Sequence, residues 1–494
     1  MRTARSPLLS IVVDRNRTVS LQEQIFDQVR SAILGGRLAP GTLLPATRVL
    51  AQELAVSRNT ILAAFERLYG EGYIEGRSGS GTRVSRNLPE DLLSSRHRSP
   101  VRPAGPELAG KRSRLSGRLS GLRSRHATSG TRAFRPGMPD LEHFPFQLWS
   151  RSAARFWRHP PKDLLISGEL AGYRPLRNAI AAYLGAVRCL NCSGEQVMIT
   201  SGGQQALDLV VRTVIDSGDD VWVENPGYAG LHATLLAAGA NIHAVPVDDG
   251  GLSVTAGRRL SPNAVLAAVT PSHQYPLGIT MSLSRRLELL DWAEQAGAWI
   301  LEDDYDSEFH YGGKPHSALQ GLDGSGRVIY VGTFSKVLFP SLRLGYVVVP
   351  EALLESFLTV RAGIDDQPAL ALQPALHTFI EDGHFAAHVR RLRRLYSERQ
   401  ALLIDALSRY ASGLLHASPH EAGMHLVARL SPDIGMTDVD IADRAKADGL
   451  ITPALSGFYD GPAKGQGLVL GYAGLTSDEI DRDVGRLCRA ITDS

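Results

Sequence analysis

The sequence predicts an α/β protein made of two folded parts joined by a linker. Three observations support this: helical periodicity near the N-terminus, a stretch without aromatic residues after it, and alternating β-rich and helical runs in the remainder. The 494 residues exceed one ordinary domain, and 43% of them are apolar, enough for a large core. We expect domains over 1–85 and 131–494, a linker over 86–130, and a small C-terminal subdomain over about 375–494.

The composition favours a cytosolic protein without a membrane span or a metal site. There is no run of about 18 apolar residues, and the apolar stretch near the N-terminus is too short for a signal peptide. Cys189 and Cys192 form one C-x-x-C pair, whereas a structural zinc site needs a second ligand pair nearby. We therefore expect reduced thiols, a cytoplasmic location and no bound metal.

Charge is distributed unevenly along the chain. Residues 1–85 hold 11 basic and 7 acidic side chains, and residues 86–130 hold 10 and 3. The net charge of the whole chain is only +2, so the remainder is acidic. This asymmetry predicts a polyanionic partner for the N-terminal part alone.

The first 85 residues predict three helices followed by a two-stranded hairpin. Ser20 is placed to cap the helix "LQEQIFDQVRSAIL". "TRVLAQELA" predicts a second, short helix, and Ser57 caps a third in "SRNTILAAFERLYGEG". The apolar face of the third helix comprises Ile61, Ala64, Phe65, Leu68 and Tyr69. "YIEGRSGSGTRV" then predicts two strands around a Gly-Ser turn.

The second and third helices predict a helix-turn-helix that reads DNA. In such a motif, the first residues of the last helix reach base edges in the major groove. Arg58 suits guanine acceptors, and Arg48 is placed for a phosphate. The Gly-Ser turn is short enough to enter a minor groove as a wing. The predicted DNA-binding residues are Arg48, Ser57, Arg58, Asn59, Thr60, Gly79, Ser80 and Gly81.

The stretch "LAPGTLLPATRVLAQELAVSRNTILAAFERLYGEGYIEGRSGSGTRV" closely resembles the winged-helix domain of GntR-type bacterial regulators. Pro40-Gly41, Pro45, the "VSRNT" run and the "GSGT" turn all lie where that family places them. The resemblance implies binding to double-stranded DNA. An interaction module that does not touch DNA is the alternative.

The segment 86–130 predicts a flexible linker. It is rich in Ser, Arg, Pro and Gly, and it cannot bury enough apolar area to offset the entropy of ordering. Its ten basic residues either contact DNA phosphates or keep the segment solvated and extended.

The remainder predicts a largely parallel sheet covered by helices. Short β-rich runs such as "DVWVEN", "AWILEDD" and "RVIYVGTF" are separated by helical stretches such as "GGQQALDLVVRTVI" and "LSRRLELLDWAEQAG". A long helical region follows from about residue 351. It leads into a smaller α/β segment that contains "GMHLVARL" and "GLVLGYAGL".

Lys336, in "TFSKVLFPSLRLGY", has no acidic residue within this segment to pair with. Burial lowers the pKa of a lysine because desolvation disfavours its charged form, and the neutral amine can then form an imine with an aldehyde. Pyridoxal 5'-phosphate is the common biological aldehyde of this kind, so we expect it as the cofactor. Such a site also needs a phosphate cradle, a carboxylate, a donor for the phenolic oxygen and an aromatic face.

The phosphate cradle is predicted in two motifs. "TSGGQQAL" is a glycine-rich turn that opens a helix, so the N–H groups of Gly203 and Gln204 suit a phosphate. Thr333 and Ser335 add hydroxyls, and Arg343 adds a fixed positive fork. Lys336 and Arg343 would then hold opposite ends of one ligand.

The contacts to the cofactor ring are predicted in two further motifs. Asp303, in "EDDYD" at the end of a strand, suits the protonated ring nitrogen, and Tyr305 suits the phenolic oxygen. Tyr228, in "ENPGY", suits the face of the ring. An acidic pair at a strand end is usually a solvated loop or a cap, so the prediction depends on the order of all these motifs.

At these residues the chain resembles fold type I aminotransferases, and with its N-terminal domain it resembles MocR-type regulators, which sense metabolites through bound pyridoxal phosphate. The resemblance covers nearly everything except the linker. It implies that Lys336 carries the cofactor, that Asp303 and Tyr305 hold its ring, and that Tyr275 lies near the phenolic oxygen, where aminotransferases keep an asparagine. His273, in the motif "TPSHQYPLG", either covers the cofactor or is a packed or exposed histidine.

Two departures from aminotransferases concern the substrate carboxylate. "GLVLGYAGL" lacks the arginine of their C-terminal strand, and Gly230 stands where some relatives carry an arginine. We therefore expect an amine effector without a carboxylate, or pyridoxal phosphate alone, rather than ordinary transamination of α-amino acids.

These observations predict a transcriptional regulator that senses an amine or pyridoxal phosphate through Lys336 and controls a nearby operon. The resemblance implies operons for pyridoxal phosphate synthesis, γ-aminobutyrate use or taurine use, and a head-to-tail homodimer on an operator with two half-sites. Two alternatives stay open: an active aminotransferase with an accessory DNA-binding domain, and an inert fold used only for dimerisation.

Overall fold

The computed structural model describes residues 11–15, 17–77, 81–86, 88, 113–119, 133–312 and 317–492. The chain divides into two compact units, 1–112 and 113–494, each with its own hydrophobic core. Among the described helices, none is long and apolar enough to cross a membrane.

The N-terminal unit contains the predicted three helices and hairpin. Its elements are α1 (Leu21–Leu34), α2 (Thr47–Glu53), α3 (Arg58–Gly70), β1 (Ile74–Arg77) and β2 (Gly81–Val84). The hydroxyl oxygen of Ser20 accepts the N–H of Glu23 at the start of α1, and that of Ser57 accepts the N–H of Thr60 at the start of α3. Strands β1 and β2 pair in antiparallel fashion. The prediction of a winged helix-turn-helix is confirmed.

The core of this unit lies between α1 and α3. Ile25 and Val29 of α1 pack with Ile61 and Leu68 of α3, and all four are fully buried. The prediction that Tyr69 belongs to the apolar face was wrong, since 59% of this residue is exposed. Consecutive helical residues differ by about 100°, so the neighbour of the buried Leu68 points away from the core.

A short helix, α4 (Arg114–Arg118), falls inside the segment predicted as a linker, and Ser113 caps it. Most of 86–130 lies outside the described residues, so its flexibility stays a prediction.

The second unit alternates strands and helices as predicted. The helices are α5 (Phe146–Trp157), α6 (Lys162–Ile166), α7 (Arg174–Arg188), α8 (Gly203–Val214), α9 (Ala229–Ala238), α10 (Val254–Leu260), α11 (Leu283–Ala296), α12 (Leu319–Leu322), α13 (Leu354–Ile364), α14 (Gln373–Glu381), α15 (His384–Tyr410), α16 (Asp438–Ala447) and α17 (Ser477–Thr492). The strands are β3 (Val197–Thr200), β4 (Asp220–Asn225), β5 (Asn241–Asp248), β6 (Gly251–Leu252), β7 (Leu266–Val269), β8 (Trp299–Asp304), β9 (Val328–Thr333), β10 (Gly345–Val348), β11 (Leu415–His416), β12 (His425–Leu430) and β13 (Gly467–Gly471).

The central sheet has the strand order β3-β10-β9-β8-β7-β4-β5-β6. Strands β9, β8, β7, β4 and β5 are parallel, and β10 runs antiparallel to both of its neighbours. Strand β3 therefore has the same direction as the parallel set. The carboxyl ends of β3, β4, β7, β8 and β9 lie at one edge of the sheet, where α/β proteins bind ligands.

The C-terminal part forms a smaller α/β layer. Strands β11, β12 and β13 make an antiparallel sheet, and the long helix α15 packs against α17. Leu426 of β12 and Leu468 and Leu470 of β13 are fully buried, and they join the same core as Leu392 of α15. This layer supplies two histidines that lie close to the carboxyl-end loops of the central sheet.

Candidate functional site

Lys336 lies just after β9, in the loop that returns to β10. Its amine donates a hydrogen bond to the carbonyl oxygen of Gly137 at 3.2 Å. Burial lowers the pKa of this amine, and Arg135 lowers it further, while Asp306 and Asp303 oppose the shift. Glycine suits position 137, because its φ is +70° and a Cβ there would lie 2.5 Å from the Lys336 nitrogen. The lysine is thus held with a more readily deprotonated amine.

The predicted phosphate cradle lies at the start of α8. The helix begins at Gly203, so the N–H groups of its first turn have no acceptor within the helix. Gly202 has φ +91°, and a Cβ on it would lie 3.2 Å from the guanidinium carbon of Arg343. Arg343 donates to the carbonyl oxygen of Ser201 at 2.6 Å. The guanidinium of Arg343 therefore lies beside the N-terminus of α8, and the two positive groups together favour binding of an anion.

The two hydroxyls predicted for the cradle lie on the neighbouring strand end. A Cβ on Gly203 would lie 3.8 Å from Cβ of Thr333, the last residue of β9. The hydroxyl oxygen of Thr333 accepts the N–H of Ser335 at 3.2 Å. Within the described part of the chain, the hydroxyl oxygen of Ser335 is buried and has no hydrogen-bond partner. A buried polar atom without a partner is costly, so this hydroxyl suits a ligand.

The predicted ring-nitrogen carboxylate is the last but one residue of β8. Burial raises the pKa of Asp303 to about 7; Asp304 and Glu224 add to this, and Lys336 opposes it. The adjacent Asp304 is already paired, since it lies 3.0 Å from Arg188 and accepts the hydroxyl of Tyr330 at 2.6 Å. Of the two aspartates, Asp303 is therefore the one suited to a cationic ligand atom.

Three tyrosines line the same space. The ring centroid of Tyr275 lies 5.8 Å from that of Tyr305 and 6.1 Å from that of Tyr228. Tyr228 donates its hydroxyl to the side-chain oxygen of Gln204 at 3.2 Å, which links the ring to the phosphate cradle. A Cβ on Gly230 would lie 2.5 Å from that same oxygen. Tyr305 donates to the backbone carbonyl of His273 at 3.0 Å.

The described residues fit pyridoxal phosphate. The half-buried amine of Lys336, the N-terminus of α8 beside the Arg343 guanidinium, and the Ser335 hydroxyl, which has no partner among the described residues, converge at the carboxyl edge of the sheet. The carboxylate of Asp303 and the tyrosine rings lie at the same edge. The structure brings together all ten predicted site residues, which are Lys336, Asp303, Tyr305, Tyr228, Gly203, Gln204, Thr333, Ser335, Arg343 and Tyr275.

Several residues of the site were not predicted. Gly137 and Arg135 come from a segment about 200 residues before Lys336, and no local pattern marks them. Asp306 stands in the motif "EDDYD", yet only the fold shows that it lies 2.9 Å from Nδ1 of His273. His273 itself is buried, which agrees with the packed alternative. No pattern in the sequence indicates that His273 forms hydrogen bonds with Tyr305.

The predicted DNA-binding residues 48 and 57–60 lie at the starts of α2 and α3. Arg48 and Arg58 are exposed, and they line one shallow depression of the surface, whose lining consists of Arg48, Ala51, Gln52, Ala55, Val56 and Arg58. Asn59 is also exposed. The hydroxyl of Ser57 is used in capping α3 and lies 2.8 Å from that of Thr60.

The predicted wing is described in part. Gly81 begins β2 with φ +80°, a conformation that suits glycine. Gly79 and Ser80 lie outside the described residues. Contacts of the wing with DNA therefore stay a prediction.

Comparison with protein families finds two matches that divide the chain as the structure does. Residues 21–84 match the family described as bacterial regulatory proteins, gntR family, and residues 138–487 match aminotransferase class I and II. The second match covers most of the chain.

Two curated relatives match over nearly their whole length. The chain is 42% identical to the probable rhizopine catabolism regulatory protein MocR of Rhizobium meliloti, over 97% of this chain and 96% of the relative. It is 32% identical to the HTH-type pyridoxine biosynthesis transcriptional regulator PdxR of Corynebacterium glutamicum, over 96% of each.

Among solved structures, the chain is similar to LysN, the α-aminoadipate aminotransferase of Thermus thermophilus, in a complex with N-(5'-phosphopyridoxyl)-L-leucine. The TM-score is 0.70 at 28% sequence identity, with 77% of this chain and 97% of that chain covered. The predicted fold type I architecture and the expected cofactor, pyridoxal phosphate, are confirmed by these findings.

Proposed function

The chain belongs to the MocR-type transcriptional regulators, in which a GntR DNA-binding domain precedes a pyridoxal phosphate-dependent, aminotransferase-like domain, and from this premise we propose that it senses an amine at Lys336. The observation that carries the proposal is the half-buried Lys336 amine beside Asp303 and the tyrosines of the site, whose pKa is lowered by desolvation.

Pyridoxal phosphate, when bound, supplies an aldehyde that reacts reversibly with amines. In our proposal the N-terminus of α8, Ser335 and Arg343 hold its phosphate, and Asp303 pairs with its ring nitrogen. Tyr228 and Tyr305 limit the movement of its ring. Lys336 is the covalent attachment point, and an effector amine competes with it for that position.

The signal to DNA would follow from linkage. An effector that binds one arrangement of the second unit better than another shifts the population toward that arrangement, by at most its difference in affinity. We infer that displacing Lys336 changes how the DNA-binding domains engage an operator with two half-sites. Catalytic turnover is not required for this response.

The strand β13 supports an effector without an α-carboxylate. Leu468, Val469 and Leu470 are fully buried there, so they offer a carboxylate no charged partner. Gly230 faces Tyr228 and Gln204 without room for a larger side chain. We therefore favour an amine with another polar group, or pyridoxal phosphate itself. Control of a nearby operon for the metabolism of such an amine or of the vitamin is part of this proposal.

Exposed apolar side chains support the proposed homodimer. Phe146 and Trp157 of α5 are 56% and 46% exposed, and Leu165 and Ile166 of α6 are 52% and 82% exposed. Contiguous patches of exposed apolar side chains are typical of protein–protein interfaces. A head-to-tail dimer would cover them and carry two DNA-binding domains. Sedimentation of the full chain tests this: a monomer at micromolar concentration would exclude it.

The function is tested with purified full chain and pyridoxal phosphate. We expect a visible absorption band, and reduction with borohydride should fix the cofactor to the peptide that contains Lys336, as detected by mass spectrometry. The same protein should bind DNA upstream of the neighbouring gene, with an affinity that changes in the presence of one of a panel of amines.

Two results would contradict the proposal. Protein that stays colourless after incubation with the aldehyde and yields no adduct would exclude the cofactor role of Lys336. Sustained keto acid formation over many turnovers with amino acid donors would instead favour the alternative, an active aminotransferase with an accessory DNA-binding domain.

A further inference from the structure

A histidine and an aspartate form a buried pair beside Tyr305. Nδ1 of His273, in the loop after β7, lies 2.9 Å from a carboxylate oxygen of Asp306, and each side chain is only 1% exposed. The same nitrogen lies 3.0 Å from the hydroxyl oxygen of Tyr305. Burying a carboxylate is costly. The pair therefore connects Tyr305 to a buried acidic group that the proposed function leaves without a role.

The directions of the hydrogen bonds at this pair follow from what each atom can accept. Tyr305 donates its hydroxyl hydrogen to the backbone carbonyl oxygen of His273 at 3.0 Å, because a carbonyl oxygen only accepts. That hydrogen is then not available to Nδ1. The contact between Nδ1 and the hydroxyl oxygen therefore needs a proton on Nδ1, and this proton is shared with the carboxylate of Asp306.

The other ring nitrogen agrees with this tautomer. A histidine next to a carboxylate holds its proton on the nitrogen that faces the carboxylate, so Nε2 of His273 carries the lone pair. Within the described part of the chain, Nε2 is buried and has no hydrogen-bond partner, and therefore no acceptor for a proton. Burial raises the pKa of Asp306, and Asp304 adds to this, while His273 and Lys336 oppose it. The histidine thus helps to keep the aspartate charged.

The ring of His273 is held in place by the C-terminal layer. A Cβ on Gly423, whose φ is +101°, would overlap the ring, so the glycine leaves the space that the ring occupies. The ring centroid of His425, the first residue of β12, lies 5.0 Å away, and that of His420 lies 6.0 Å away. Burial and the nearby His273 lower the pKa of both histidines, to about 4 for His420. Neither of them brings a positive charge to the pair near neutral pH.

We propose that His273 and Asp306 are positioning residues, which hold the hydroxyl of Tyr305 toward the phenolic oxygen of the bound cofactor. The proposal rests on the proposed function and on the predicted contact of Tyr305 with that oxygen. The Nδ1 proton binds the hydroxyl oxygen from one side, so that the hydroxyl hydrogen can turn from the carbonyl of His273 to the ligand. A hydroxyl that accepts a hydrogen bond is also a better donor, because hydrogen bonds in a chain polarise one another. Asp306 keeps the proton on Nδ1, as the aspartate of a catalytic triad does for its histidine.

The test records the visible absorption of the full chain, loaded with pyridoxal phosphate, as a function of pH. A weaker donor from Tyr305 leaves more negative charge on the phenolic oxygen, which stabilises the protonated form of the bound cofactor. His273→Phe should therefore raise the pH midpoint of the spectral change by about 0.5 to 1 unit. His273→Asn, which keeps an N–H near the place of Nδ1, should raise the midpoint less. In a Tyr305→Phe background, His273→Phe should have no further effect, because the pair acts through Tyr305.

The matched control is His243→Phe. His243 also pairs with an aspartate, since its Nε2 lies 3.1 Å from Asp220 at the amino end of β4, and the midpoint should stay unchanged in this variant. An unchanged midpoint in His273→Phe would overturn the proposal, and so would an equal shift with and without the hydroxyl of Tyr305. A wild-type chain without any visible band would instead contradict the proposed function.

A second measurement uses the wild-type chain without cofactor, so it does not depend on the folding of a variant. With ¹⁵N in the histidine rings, nuclear magnetic resonance should show a proton on Nδ1 of His273 and none on Nε2. The signal is assigned through its nuclear Overhauser contacts with Tyr305. A proton on Nε2 alone would leave Nδ1 unable to donate to Tyr305 and would overturn the proposal.

Discussion

The two units place their functional groups in opposite environments. In the N-terminal unit, Arg48, Arg58 and Asn59 are exposed on α2 and α3 over a small apolar core. In the second unit, Lys336 and Asp303 are half-buried, and their partial burial shifts the pKa of each. Recognition of a polyanion needs accessible side chains that keep their charge, whereas reversible covalent chemistry needs an amine whose charge is easily lost. One chain meets both needs by keeping them in separate units.

The largest effect is expected from Lys336→Ala. Removing the amine removes the attachment point, so the visible band and the borohydride adduct should both disappear, and DNA binding should no longer respond to amines. Lys464→Ala, at an exposed lysine, is the matched control and should behave as wild type. An amine response that survives in Lys336→Ala would show that sensing occurs elsewhere.

Next in size is Arg58→Ala in the exposed unit. If the guanidinium reads a guanine, the variant should lose about 1–3 kcal/mol of discrimination between operator and mutated operator. Fluorescence anisotropy with both DNAs measures this difference. Arg48→Ala is the comparison, because loss of a phosphate contact weakens binding to all sequences alike and reduces the salt dependence. Equal losses on both DNAs in Arg58→Ala would remove it from base reading.

A smaller effect concerns Asp303→Asn and pH. The pKa of Asp303 is raised to about 7 in the folded protein, above its value of about 4 in an unfolded chain. Between these values the folded state keeps a proton that the unfolded state has lost, so stability falls as pH rises through this window. Asparagine mimics the protonated form. In the variant without cofactor, the fall in the free energy of unfolding with pH should therefore be smaller by up to about 1.4 kcal/mol per pH unit.

Urea unfolding from pH 4 to pH 8 measures the slope. Glu302→Gln provides a second slope for comparison, since burial also raises the pKa of Glu302 to about 7 while its carboxylate accepts the N–H groups of Leu319 and Gln320. An unchanged slope in Asp303→Asn would show that this carboxylate is charged throughout.

The smallest effect is expected from Ser57→Ala. Its hydroxyl oxygen accepts the N–H of Thr60 at the start of α3, and losing such a cap costs about 1 kcal/mol. Hydrogen exchange of α3 in the full chain should accelerate about fivefold. Ser253→Ala removes the corresponding cap of α10 in the other unit and should leave α3 unchanged. Unaltered exchange in Ser57→Ala would mean that DNA contact, and not capping, is the role of this serine.

The sequence predicted the elements well because their signals are local. Ser20, Ser57 and the β-rich runs mark helix starts and strands within a few residues. The site residues were found because they lie at or after the ends of strands that meet at the same sheet edge. Arg135 and Gly137 could not be found, since only the path of the chain brings them to Lys336.

The ring contacts of His273 with His420 and His425 show the same limit more strongly. His273 appeared in a motif, but its partners come from the other end of the second unit, and nothing in their spacing connects them. The exposed Tyr69 shows a different error, since the apolar pattern of the third helix was extended by one residue beyond the buried Leu68.

The reversed strand β10 has a consequence for the order in which the pocket is built during folding. Gly345 on β10 pairs with both Thr333 of β9 and Thr200 of β3. The loop that contains Lys336 and Arg343 therefore begins at the end of β9 and returns to the strand next to it. Short loops close quickly and distant segments slowly. We expect the loop with Lys336 and Arg343 to form early, and the parts of the pocket with Tyr228 and Asp303 to form late. A newly made chain would then bind pyridoxal phosphate only after the distant strands have docked.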